Sequence, residues 1–82
     1  MPKDRYYWNI WNRTAGHTHK DSETIEFSSK REAQEGVKAR LSVDLRAATI
    51  KYTDRLEIRI LNDEGEAVAY YRGTAEELNT FL

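Results

Sequence analysis

Four residues able to bind a divalent ion stand at alternate positions of one segment: His17, His19, Asp21 and Glu23. Side chains of an extended chain alternate between its two sides, so all four would point the same way, and two imidazoles with two carboxylates suit zinc or nickel. Their setting opposes that chemistry. The run TAGHTHKDSE is polar, contains Gly16 and reads as a long hairpin connection. Four ligands from one short strand also cannot surround an ion tetrahedrally without bending. The expectation is a solvated loop with no bound metal or other cofactor, whose two histidines respond to pH near about 6.5.

Other catalytic chemistry finds no constellation. A nucleophile needs a base and a third group that orients the base. Ser22, Ser28, Ser29 and Ser42 read as loop, cap or helix-surface residues, and both histidines share one segment. Gly16, Gly36, Gly65 and Gly73 are too dispersed for a phosphate-binding loop. With no cysteine there is no disulfide, thiolate metal site or cysteine nucleophile, and a reducing compartment is the natural setting. The chain reads as a protein that is not an enzyme.

The residues suited to recognition are aromatic. In RYYWNIW, residues 5–11, period-two alternation sends Tyr6, Trp8 and Ile10 to one side of a strand and Tyr7 and Trp11 to the other. One side supplies a core. The second is either a contact surface or a seam covered by the C-terminal segment, which carries Leu78 and Phe81.

Charge narrows the partner. Thirteen Lys and Arg against fourteen Asp and Glu give a net charge of −1, which disfavours a duplex binder held by counterion release. Residues 63–77 hold five acids and the single base Arg72, so one end is acidic and the rest mildly basic. That asymmetry serves solubility and equally suits docking on a charged protein. No apolar run approaches the roughly 20 residues of a membrane helix, and the polar MPKDR start has no signal-peptide core. The expectation is a cytoplasmic protein without membrane association.

These residues must be positioned by a small set of elements, with residues 1–82 forming one small domain. After a first strand near residues 5–13, TIEF (residues 24–27) reads as a second strand with Ile25 and Phe27 on its apolar side. SSKREAQEGVKARL then opens a helix through a capping box in which Ser29 and Glu32 satisfy each other's backbone N–H groups. Its apolar stripe is Ala33, Val37, Leu41, Leu45 and Ala48, interrupted by Asp44. Gly36 and Asp44 together suggest a break near Ser42. Leu56, Ile58 and Ile60 alternate with Arg55, Glu57 and Arg59, residues 62–65 make a turn, and a return strand follows over residues 66–72. Thr74 and Glu77 form a second capping box before a short C-terminal helix.

The order is ββαββα, which predicts an α+β, two-layer fold: a four-stranded antiparallel sheet packed by one main helix. The expected core sets Trp8, Ile10, Ile25, Phe27, Leu56, Ile58, Ile60, Val68 and Tyr70 against Ala33, Val37, Leu41 and Leu45. The opposite face would carry Tyr7, Trp11, Glu57, Arg59, Leu61 and Tyr71. The candidate protein-binding residues are therefore Tyr7, Trp11, Arg13, Arg59 and Tyr71. A single-stranded nucleic-acid module stacking bases on these aromatics is the alternative, opposed by Glu57, which would repel phosphate.

The strand and capped helix of TIEFSSKREAQEGVKARL, followed by the hairpin RLEIRILNDEGEAVAYY, resemble the small cysteine-free α+β proteins encoded by phages, anti-CRISPR proteins among them. The likeness is one of architecture over residues 24–71. It implies a phage protein that acts in the host cytoplasm as an inhibitor, binding a subunit of a bacterial defence complex, such as a CRISPR-Cas effector, and blocking nucleic-acid binding or assembly. A homodimer is the other partner arrangement considered.

Overall fold

Two runs of alternating apolar residues build the centre of the sheet. In the computed structural model, which describes residues 5–22 and 25–82, they form β1 (Tyr6–Asn12) and β3 (Arg55–Asn62). Around them the chain adds β2 (His17–Asp21), α1 (Lys30–Arg46), β4 (Ala67–Thr74) and α2 (Ala75–Phe81). The strands pair antiparallel in the order β2-β1-β3-β4. The expected ββαββα, α+β architecture is the fold.

Its second strand lies elsewhere than the apolar alternation suggested. The segment read as a connection, His17–Asp21, is itself β2, because the turn before it closes at once. Asn12 accepts the Ala15 N–H on Oδ1 at 3.0 Å and the Gly16 N–H on its carbonyl at 2.8 Å, and Gly16 takes φ 77°, open to glycine without strain. β2 is an edge strand, and charged side chains suit an edge, where they discourage pairing with another chain. The described residues of TIEF, 25–27, make no strand of their own. Thr24 lies outside the described residues, Ile25 is exposed rather than in the core, and Phe27 forms a single bridge with Tyr6.

α1 runs unbroken past Ser42, against the expected break. Gly36 stays in it because a Cβ there would sit 2.6 Å from Cζ of Phe27, so the missing side chain is the slot that seats this ring. Asp44 stays in it because His19 and Arg40 hold its carboxylate. The helix ends before Ala48, which is exposed with φ 59° and so is not part of the buried stripe. At the other end Ser29 accepts the Glu32 N–H at 3.1 Å. The Glu32 carboxylate bonds to the hydroxyl and N–H of Ser28 instead of the Ser29 N–H, and these bonds hold it below the usual carboxylate range.

The core joins Trp8 and Ile10 of β1, Leu56, Ile58 and Ile60 of β3, and Ala33, Val37, Leu41 and Leu45 of α1. Burying one such aliphatic side chain stabilises the fold by roughly 1.5–3 kcal/mol. Ile50, Ala75 and Leu78 complete it. α2 therefore packs on the same side as α1, to which it is tied by the Ser42 hydroxyl donating to Asn79 Oδ1 at 3.0 Å. Thr74 and Glu77 make the predicted capping box.

β4 presents its sides the other way round from the expected assignment. Ile60 pairs with Ala69 and Leu61 with Ala67, so Val68 is an extra residue that bulges the strand. Tyr71 then lies opposite Ile58 on the helix side, where its hydroxyl donates to Gln34 Oε1 and its ring meets Phe81 at 5.7 Å. Val68 and Tyr70 are exposed, outside the core. Alternation separates two sets of side chains but does not say which is inward; that is fixed by the register with β3.

Candidate interaction surface

With both helices on one side, the other side of the sheet has no covering element among the described residues. Directly opposed residues share a face, so the registers order this surface into rows. Tyr7 faces Leu61, which faces Ala67; Asn9 faces Arg59, which faces Tyr70; Trp11 faces Glu57, which faces Arg72. β2 adds Asp21 beside Asn9 and Thr18 beside Trp11. Tyr7, Trp11 and Leu61 are half-buried by their neighbours, and Val68 and Tyr70 stand clear of them.

Glu57 is the hub. Arg13 Nε lies 3.4 Å from its Oε2, Arg59 Nη2 lies 3.6 Å from its Oε1, and the Tyr70 hydroxyl donates to Oε1. The Arg59 guanidinium also sits 5.2 Å from the centre of the Tyr70 ring, within cation–π range. The Tyr70 bond, with Arg13, Arg59 and Arg72 nearby, holds the Glu57 carboxyl below the usual carboxylate range despite partial desolvation. The same bond raises the Tyr70 hydroxyl above the ordinary tyrosine range. A carboxylate that would repel anions is thus locked by two cations and a phenol.

Of the expected recognition residues, Tyr7, Trp11, Arg13 and Arg59 come together on this face. Tyr71 does not; it faces the helices, and Tyr70 occupies the place assigned to it. Arg55 and Arg72 also belong to the surface and were not singled out in the sequence. Arg55 was legible there, since it shares its parity with Glu57 and Arg59, whereas Arg72 and Tyr70 needed the β3–β4 register.

The histidine cluster disperses. An irregularity in the β1–β2 ladder between Ile10 and Trp11 breaks the alternation that would have aligned the four ligands. His17 is exposed and bonds the Thr18 carbonyl at 3.0 Å. His19 turns to α1, where Nε2 meets Asp44 Oδ2 at 2.7 Å, with the two side chains only 9% and 3% exposed, so it is not solvated as expected. Arg40 Nε joins the same oxygen at 3.1 Å. Glu23 lies outside the described residues, and among those described no three of the ligand types could share an ion.

Chemically, this face offers aromatic contact area and guanidinium groups. No family model, curated protein or solved structure matches the chain. Among the described residues, no helix is long and apolar enough to cross a membrane.

Proposed function

We propose that this chain is a non-enzymatic interaction protein that docks on a protein partner through the helix-free face of its sheet. The observation that carries the reading is the placement of both helices on one side, which leaves Tyr7, Trp11, Leu61 and Tyr70 without a covering element among the described residues. Large aromatics ringed by arginines are what interface centres use. In its narrower form the proposal is an anti-CRISPR-like inhibitor that occludes a subunit of a bacterial defence complex; this rests on the architectural resemblance. Stacking of single-stranded nucleic acid on the same aromatics is the competing reading, supported by the arginines and opposed by the carboxylates of Glu57, Asp63 and Glu64.

Trp11→Ala separates contact from packing. The variant should fold, with circular dichroism like that of the parent, and lose at least about 2 kcal/mol of partner affinity, as a hot-spot anchor does. Capture from a bacterial lysate and sedimentation of the purified chain read partner binding and self-association. If Trp11→Ala unfolds the chain as severely as Trp8→Ala, the face is structural and the reading fails. Retention of single-stranded probes in gel shifts, weakening as salt rises, would transfer the face to nucleic acid.

A further inference from the structure

Three of the four arginines on the open face meet at one end of it. Arg13 follows β1, Arg55 opens β3 and Arg72 lies on β4; the Arg13 N–H donates to the Arg55 carbonyl at 2.7 Å, and Arg72 stands opposite Glu57, two residues along from Arg55. With Gly73, Thr74 and Glu77 their side chains line a shallow cleft of about 250 Å³. Cations at adjoining ladder positions repel one another. The carboxylates beside them are already engaged. Glu57 is held by Arg13, Arg59 and Tyr70, and Glu77 Oε1 accepts from the Thr74 hydroxyl at 3.0 Å and its N–H at 3.4 Å. Among the described residues the side chains of Arg55 and Arg72 form no hydrogen bond and no ion pair within 4.0 Å, although the charge of Arg72 reaches Glu57.

A small domain has little stability with which to offset charge that its own carboxylates, Glu57 and Glu77, meet only in part, so such a concentration marks a site that an anion from outside completes. We propose that this cleft receives the carboxylates of an acidic segment on the protein partner, an inference that rests on the open-face reading above. Guanidinium groups match carboxylates two bonds at a time. The choice between a protein segment and a nucleic-acid backbone comes from the other end of the face. There Asp63 closes off a second hollow with Tyr7 and Leu61, and Glu64 follows it. Arg55 and Asp63 are eight residues apart in sequence, about 26 Å if extended, well beyond the roughly 8 Å screening length of physiological salt. The acidic end therefore does not neutralise the arginines. A polyphosphate laid along the strands would run into Asp63, whereas a folded partner can set acids on one end and bases on the other.

The test titrates the full chain, observed by NMR at its arginine Nε–Hε and tryptophan indole resonances, with three probes: a short poly-glutamate peptide, an oligothymidylate of matching length, and inorganic phosphate. The peptide should produce saturable shifts at Arg13, Arg55 and Arg72 that weaken with salt. Arg55→Gln/Arg72→Gln should lower its affinity at least about tenfold, with Arg31→Gln, far off on α1, as the unchanged control. The thermal midpoint of the double variant should equal or exceed that of the parent. Absence of saturable shifts, tighter binding of the oligonucleotide at the same arginines, equal binding of phosphate, or a fall in the double variant's midpoint would each overturn the inference. Partner association lost in Trp11→Ala and kept in Arg55→Gln/Arg72→Gln would overturn it too, while leaving the open-face reading standing.

Discussion

Asp44 shows how one residue can break a local pattern for the sake of a distant one. A carboxylate in an apolar helical stripe costs stability unless it is paired, and in this fold two cationic or donating groups reach it, His19 from β2 and Arg40 from the preceding turn of the helix. The pair ties the outermost strand to α1, since β2 offers the core little apolar surface. His19→Ala would leave the buried Asp44 oxygen with Arg40 alone and should destabilise the chain by about 1–3 kcal/mol. His17→Ala, at an exposed position, should change the urea midpoint little. Equal effects of the two substitutions would remove the tie. In the sequence the two histidines look alike, and Asp44 was visible only as an anomaly within the stripe; the ladder irregularity that turns His19 inward has no signature in residue type.

At the scale of elements, order was legible and placement was not. β1, α1, β3 and both helix N-termini declare themselves through periodicity and caps, which act over neighbouring residues. β2 did not, because an edge strand needs no apolar alternation, and TIEF displayed alternation although its described residues, 25–27, add only the bridge of Phe27 to Tyr6. What those residues provide is Phe27, whose ring fills the notch that Gly36 opens in α1. Helix propensity alone would favour alanine at position 36 by about 1 kcal/mol. Gly36→Ala should nonetheless destabilise the parent, since Phe27 must leave its seat. In a Phe27→Ala background the same change should be neutral or stabilising. A double-mutant cycle by chemical denaturation measures the coupling, and additive effects would mean the ring does not depend on the notch.

The whole molecule is two-sided, with one sheet face closed by helices and the other held together by side chains that reach across the strands. Two-sidedness followed from the sequence through the doubly aromatic β1, but the contents of the open face depended on the β3–β4 bulge, which only pairing reveals. Because Glu57 links Arg13, Arg59 and Tyr70 over three strands, the stability of this side depends on its ionisation. Its folded carboxyl is more acidic than that of an unfolded glutamate, so the folded state holds the proton less tightly than the unfolded state. The resulting stabilisation is fully present above the unfolded value, about 4.3, and is lost as pH falls through the lower folded value. Glu32, depressed by Ser28, adds to the same limb with the same sign. Urea unfolding of the parent should therefore give a plateau near neutrality and a decline below about pH 4.5. Glu57→Gln should start from a lower plateau and decline less steeply, so that the two curves converge in acid, and salt should narrow their gap because the network lies at the surface. Curves that stay parallel down to the acid limit would show that the depressed acidity of Glu57 is not coupled to folding, and that the strands of the open face are held by their ladder alone.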